Sequence, residues 1–244
     1  FLDVGQGDGI AIRTHDAFIT VDGGSSDVKN VGKYRIIPFI KYKGIRAIDY
    51  AIISHLDNDH VSGVRELLEQ SDNGGIKVRN IVLPKLLNKD DEYVEMEKLA
   101  HAMGVEVLYL KNGDSIEAGP LKIKCINPDI KNQMDDRNDN STVLDVKYKN
   151  FSMLLTGDIS SEVENNIEKN LAQKYTVLKV PHHGSRFSSS EKLLSKVSPK
   201  YSVISCGEGN SYGHPHIETI DRLNMHNTEI LRTDLIGEID FRME

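Results

Sequence analysis

A buried strand that breaks at once into ligand-type side chains constrains this chain more than any other stretch: Tyr50-Ala-Ile-Ile-Ser-His-Leu-Asp-Asn-Asp-His-Val-Ser-Gly63. Its isoleucine-rich start is the short apolar run of a covered strand. His55, Asp57, Asp59 and His60 then follow within six residues. Charged groups at the mouth of a buried strand are unfavourable unless something pairs with them. Imidazole and carboxylate together suit a divalent metal ion. In an extended loop, residues two apart face the same way, so His55 and Asp57 can share one ion. A turn into the next helix can redirect Asp59 together with His60, and one loop then feeds two ions.

Around this stretch the chain alternates strands and helices. Short strands are expected at Phe1–Val4, Ile10–Arg13 and Phe18–Val21, with Gly5-Gln-Gly-Asp-Gly9 between the first two and Asp22-Gly-Gly24 after the third. No Lys-Ser/Thr pair follows the first glycines, which argues against a phosphate-binding P-loop. A helix is expected from near Gly32 to Gly44, another from the ligand loop to Gly74-Gly75, and a third over 91–103 between strands at 76–83 and 105–110. This β-α-β-α-β run favours an α/β sheet with helices outside. Strands at Leu121–Ile126, Ser141–Tyr148 and Phe151–Thr156 follow; Lys149-Asn150 makes the last two a hairpin. Between the first two lies a polar, acidic loop, Asn127–Asn140. A second β-α-β half has helices at 160–172 and 190–197 and strands at Thr176–Val180 and Tyr201–Ser205. A helix at 216–225 and strands near 229–231 and 237–242 close the chain. The 244 residues fit one α/β domain spanning 1–244.

The ligand loop has partners. Met153-Leu-Leu-Thr-Gly-Asp158 ends a strand on a carboxylate that could bridge two ions. Val177-Leu-Lys-Val-Pro-His-His-Gly-Ser185 ends a strand on His182 and His183, and Tyr201–Cys206 leads into Tyr212-Gly-His-Pro-His216. Six of the nine histidines (His55, His60, His182, His183, His214, His216) therefore fall in strand-end clusters. His15, His101 and His226 sit in polar surroundings and are expected to be solvated. Sites in open α/β sheets form at strand ends in this way, and a joint coincidence of these clusters is improbable.

Composition bears on the substrate. The net charge of −7 counts against a nucleic-acid partner, which normally meets a basic surface. Bound metal ions would weaken that objection by neutralising acids and attracting phosphate. Cys125 and Cys206 are too few and too far apart to form a disulfide framework or a zinc knuckle. No apolar run approaches the ~20 residues of a membrane span, and a signal peptide is not visible. The start within a strand pattern suggests a piece of a longer protein.

The spaced motif His55-x-Asp57-x-Asp59-His60 resembles the His-x-His-x-Asp-His signature of the metallo-β-lactamase superfamily, with Asp57 where the second histidine usually stands. Together with Phe1-Leu-Asp-Val-Gly-Gln-Gly-Asp8, Asp22-Gly-Gly24, Asn140-Ser, Leu155-Thr-Gly-Asp158, Pro181-His-His-Gly-Ser185 and Gly213-His-Pro-His216, it is similar to the C-terminal domain of the ComEC family of competence proteins, across nearly the whole chain. The resemblance implies a four-layer αββα sandwich with a two-metal site at one edge of its sheets. It further implies a nuclease that degrades the non-transported DNA strand during natural transformation. Its partners would be DNA, single-stranded above all, and the membrane-channel portion of the same parent chain. The domain itself would be soluble, on the extracytoplasmic face of a bacterial plasma membrane.

Two close metal ions can clamp an in-line displacement at phosphorus. Site one is assigned His55, Asp57 and the bridging Asp158. Site two takes Asp59, His60, Asp158 and one of His182 and His183. Many superfamily members have a further histidine where this chain has Asn138-Asp-Asn140, so the donors are rich in oxygen. Such a set shifts preference from Zn²⁺ towards Mn²⁺ or Mg²⁺. Mn²⁺ is the favoured ion, and no small organic cofactor is expected. Asp59 and His214 are the catalytic candidates; with a near-neutral pKa, His214 would contact the scissile phosphate or protonate the leaving oxygen. Asn140, Ser141, Ser185 and Arg186 are candidate phosphate contacts, and Asp22 is expected to orient the metal loop from outside the ligand set. Acids this close together would repel, so chelation should weaken the fold as well as stop activity. Two other functions compete: a phosphodiesterase for a small or cell-surface substrate such as phosphorylcholine on teichoic acid, and a non-catalytic module that holds DNA.

Overall fold

The computed structural model describes residues 1–70, 75–172 and 174–243. Two sheets carry the fold. In the first, β1 (Ile10–Arg13) and β2 (Phe18–Val21) form an antiparallel pair, and β3 (Ala47–Ile52), β4 (Lys77–Pro84) and β5 (Glu106–Leu110) extend from β2 in parallel. Helices α1 (Ile37–Tyr42), α2 (Asn58–Gln70) and α3 (Asp91–Ala102) provide the crossovers. A wider-turned segment, Gly32–Ile36, leads into α1, and together they fill the span expected to end at Gly44. The expected end of α2 at Gly74-Gly75 lies partly outside the described residues. Asp90 starts α3 by accepting a hydrogen bond from the Tyr93 amide.

The second sheet runs from β6 (Ser115–Ala118) through β7 (Leu121–Asn127), β8 (Val143–Tyr148) and β9 (Phe151–Leu155), all antiparallel. It continues in parallel through β10 (Val177–Lys179), β11 (Tyr201–Ile204) and β12 (Glu229–Arg232). Helices α4 (Ser161–Ile167), α5 (Glu191–Val197) and α6 (Ile217–Met225) connect these strands, and a short α7 (Thr233–Ile236) follows β12. Residues 237–242, expected to be a strand, join no ladder. Ile239 exchanges both backbone hydrogen bonds with Phe1, whose own segment is likewise outside the sheets.

Alternation along the strands builds the layers, because successive side chains leave opposite faces. Ile52 and Val82 point between the sheets, where they meet Ile123, Leu144, Met153 and Leu155. Their neighbours Ile53, Ile81 and Leu83 pack outward under Val61, Val64, Leu67 and Met96. Leu154, Leu178 and Ile204 cover the far face of the second sheet against Val163, Leu193, Leu194 and Leu223. Three hydrophobic layers between four structural ones make the architecture αββα. No helix among the described residues is long and apolar enough to cross a membrane.

Candidate metal centre

The C-terminal ends of β2, β3, β9 and β10 meet at one edge of the two sheets. The first two continue into Asp22 and into Ser54-His55, the second two into Asp158 and into His182-His183. Glycines let the loops approach. A Cβ on Gly24 would lie 2.5 Å from the His60 nitrogen and one on Gly7 would lie 2.4 Å from the Asp59 carbonyl oxygen, so side chains are excluded there. Backbone bonds then lock the loops together: the Asp8 amide donates to the Asp59 carbonyl at 3.0 Å and the Gly23 amide to the His60 carbonyl at 2.8 Å.

One carboxylate or imidazole atom from each of Asp59, His60, Asp158 and His183 falls within 4.8 Å of all the others. Asp158 Oδ2 lies 3.4 Å from His60 Nε2 and 3.2 Å from His183 Nε2, and His183 Nε2 lies 3.5 Å from Asp59 Oδ2. Ligand bonds of about 2.0–2.2 Å would separate tetrahedral donors by roughly 3.4 Å, so the spacing suits one ion. The Nε2 atoms of His55, His60 and His183 are all buried without a hydrogen-bond partner. Buried polar atoms nearly always have partners, and three such nitrogens together fit a divalent cation.

The opposite ring nitrogens are held. Asp22 accepts from His60 Nδ1 at 3.0 Å while its other oxygen accepts from the Ser54 amide at 2.7 Å. That fixes the tautomer with Nε2 free for an ion. His183 Nδ1 donates to the Ser205 carbonyl at 2.8 Å. His55 Nδ1 meets the Ser54 hydroxyl at 3.0 Å and the Ser141 hydroxyl at 3.3 Å. Both His182 and His183 have left-handed backbone, φ 49° and 52°, a conformation unfavourable for non-glycine residues. It turns His183 inward and leaves His182 at the rim, with Nε2 3.9 Å from Asp158 Oδ2. Of this pair, His183 is the one in the donor cluster.

Electrostatics follow from burial and neighbours. Burial lowers the His55 pKa well below its ordinary value, and nearby His60 adds to this, leaving a neutral imidazole. Burial acts the same way on His60 and His183, but Asp158 outweighs it with help from Asp22 at His60 and Asp8 at His183. His60 is raised well above its usual range and His183 to about 9. Without an ion, these two rings hold protons at neutral pH that a metal must displace.

Three further residues belong to the centre. Lys179 is fully buried, its Nζ 2.6 Å from Asp8 Oδ2 and 3.4 Å from Asp158 Oδ1. This ammonium pairs with Asp8, which together with Asp22 and His60 forms a second group with metal-ligand spacing. A lysine inside the apolar strand Val177-Leu-Lys-Val180 was the available signal. Asp8 was visible only as part of a glycine-rich motif. Arg137, from the acidic loop, pairs with Asp57 at 2.6 Å and with Asp90 at 2.7 Å.

Other expected site residues take different tasks. The Asn140 amide bonds Met134 and Asp136 carbonyls and accepts from the Met134 amide, which ties up the loop that carries Arg137. Ser141 is buried; it contacts His55 and accepts from the Asp158 amide at 3.2 Å, so it positions ligands. Ser185 is also buried, whereas Arg186 is exposed beside Glu218 at 3.1 Å. His214 lies against His183 and His182 with ring centroids 6.2 and 5.7 Å apart. Burial, then His183, His182 and His216, push its pKa down to about 4. It is neutral at pH 7, which corrects the expectation of a near-neutral group ready to protonate a leaving oxygen. His226, expected to be solvated, instead pairs with Glu191 and is mostly covered.

The chain matches the metallo-β-lactamase superfamily over residues 2–208. It is 31% identical over 258 residues to ComE operon protein 3 of Bacillus subtilis, which covers 99% of this chain and 32% of that protein. It is also 31% identical over 241 residues to competence protein ComA of Neisseria gonorrhoeae, with 98% and 31% covered. The chain thus spans about a third of the length of these relatives. In structure it is similar to the metallo-β-lactamase fold protein YhfI from Bacillus subtilis, with a TM-score of 0.61, 11% identity and 95% of each chain covered. The fold and the sequence agree: the chain belongs to the metallo-β-lactamase superfamily, whose hydrolase fold holds divalent metal ions, and its resemblance to the ComEC competence proteins extends over nearly its whole length.

Proposed function

We propose that the chain is a metal-dependent phosphodiester hydrolase, and that its substrate is DNA, the strand left outside during uptake. The observation that carries this reading is the mixed donor set, with the carboxylates of Asp59 and Asp158 beside His60 and His183 and Asp57 within reach of His55. Such a set suits Mn²⁺ or Mg²⁺ better than the imidazole-rich sites that favour zinc. When bound, the ions supply charge neutralisation at phosphorus and a lowered pKa for the attacking water. The chain's own residues hold the ions, exclude side chains from the loop crossings and present neutral His214 to a phosphate oxygen. The competence role named for ComA supports DNA as substrate, and a membrane-channel parent with this domain on the extracytoplasmic side belongs to the same proposal.

The rim supports an unpaired strand. Tyr212 is 56% exposed and its ring lies 5.8 Å from that of His214 at an interplanar angle of 19°. The Asn210 amide bonds the Gly207 and His214 carbonyls at 2.9 and 2.6 Å, which stiffens the loop that carries Tyr212. Phe187 is exposed on the neighbouring loop. Exposed aromatics beside a phosphate site suit stacking of unpaired bases, worth about 1–3 kcal/mol per base. The net charge of −7 favours instead a small or cell-surface phosphodiester.

One assay separates these. The chain is incubated in Mn²⁺, Mg²⁺ or Zn²⁺ with 5′-labelled single- and double-stranded DNA and with bis-p-nitrophenyl phosphate. Cleavage of single-stranded DNA and the small diester is expected in Mn²⁺. Tyr212→Ala should raise KM for DNA roughly tenfold, the effect of one lost stacking contact, with the small diester unaffected. Cleavage of the diester but of neither DNA would sink the nuclease assignment. No cleavage with metal bound would favour a DNA-holding module.

A further inference from the structure

The two metal positions that the superfamily fold implies are furnished unequally. Asp59, His60, Asp158 and His183 converge as a set. His55 and Asp57 stand outside it, with His55 Nε2 3.7 Å from Asp57 Oδ2. The other Asp57 oxygen is taken: Arg137 Nη1 donates to Oδ1 at 2.6 Å. Arg137 is clamped from its other side as well, since its Nε and Nη2 lie 3.0 and 2.7 Å from Asp90 Oδ2. Asp90 is anchored in turn as the cap of α3, and the Asn140 amide locks the turn behind Arg137.

A guanidinium keeps its charge at every neutral pH and its fork matches carboxylates. A divalent ion entering between His55 and Asp57 would therefore sit beside a fixed positive charge and share the Asp57 carboxylate with it. Like charges at this range repel appreciably even under surface screening. At the converging set the neighbouring cation leaves the facing donors free: Lys179 meets Asp158 at Oδ1, 3.4 Å away, whereas Oδ2 faces the two imidazoles.

We propose that Arg137 acts as a resident cation at the first metal position. The chain then binds one divalent ion tightly at Asp59, His60, Asp158 and His183. A second binds weakly at His55, Asp57 and Asp158 until an anionic phosphate group supplies the missing donors and draws part of the Arg137 charge. The phosphate clause rests on the phosphodiesterase reading; the inequality of the two positions does not. Arg137 is thereby a positioning residue that couples occupancy of the second ion to arrival of substrate.

The test is calorimetric titration of the metal-free 244-residue chain with MnCl₂, with free Mn²⁺ followed by electron paramagnetic resonance and no DNA present. The wild type should show one tight ion and a second at least tenfold weaker, and inorganic phosphate should tighten the second alone. Arg137→Gln should strengthen the second ion about tenfold, as loss of an adjacent unit charge predicts, and leave the first unchanged. Asp90→Asn, which loosens the clamp but keeps a capping side chain, should act in the same direction more weakly and guards against misfolding of the first variant. Two equally tight ions in the wild type, or unchanged second-ion affinity in a folded Arg137→Gln protein, would overturn the proposal. Because the readout is metal binding, failure to cleave DNA would count against the proposed function and leave this result standing.

Discussion

Asp158→Asn is expected to lower Mn²⁺-dependent hydrolysis of bis-p-nitrophenyl phosphate by at least about a thousandfold, on the scale of losing a metal clamp at phosphorus. The carboxylate faces His60 and His183 through Oδ2 at 3.4 and 3.2 Å and Lys179 through Oδ1 at 3.4 Å. Burial alone would favour its neutral form, but His183, His60 and Lys179 hold its pKa well below the ordinary carboxylate value. It is thus an anion at any assay pH near neutrality. Asparagine keeps the shape and an acceptor but removes the charge, so the chain should still fold while metal affinity falls. Initial rates at saturating Mn²⁺, paired with a metal titration, measure both effects. A fully active Asp158→Asn protein would mean that the centre lies elsewhere.

Lys179→Met should have the largest effect on stability. Its ammonium is fully buried and lies 2.6 Å from Asp8 Oδ2. Burial pulls its pKa down, yet Asp8 and Asp158 more than restore it, so the folded value is raised. A raised lysine contributes its stability fully below the unfolded pKa, throughout the neutral range, and loses it only as pH climbs through the folded value. Removing one partner of a buried pair costs about 3–5 kcal/mol, or roughly 10 °C in Tm for a chain of this size. Added Mn²⁺ should recover part of that loss by neutralising Asp158. The same lysine revises the expected effect of chelation. The acids do not face one another alone, because Lys179 and protonated His60 and His183 offset them, so removal of metal should unfold the chain less readily than their number suggests.

What could be read from the sequence was whatever depends on local pattern. The Ile-rich strand, the turn at Asp57 and the apolar spacing of Val61, Val64, Leu67 and Leu68 are all local, and β3 and α2 appear there. Asp22 could be given its orienting role because it too ends a strand. Strand β6 was missed because Ser115–Ala118 forms a sheet edge with partly exposed residues and no apolar run. A strand is expected near 237–242, but the segment joins no ladder, and Ile239 pairs its backbone with Phe1 instead. The choice between adjacent His182 and His183 turns on two left-handed backbone angles, which no side-chain pattern encodes. Arg137 meets Asp57 across 80 positions of sequence, and Lys179 meets Asp8 only once the two sheets close on each other. Pairings of that kind follow from the fold and are invisible before it.

An anomalous-difference map from a Mn²⁺-soaked crystal tests most directly whether four side chains hold a divalent ion. The strongest peak is expected between Asp59, His60 Nε2, Asp158 Oδ2 and His183 Nε2, at about 2.0–2.3 Å from each, with a weaker one beside His55. A peak instead at Asp8 and Asp22 with Lys179 displaced, or no peak at any of these side chains, would contradict this assignment.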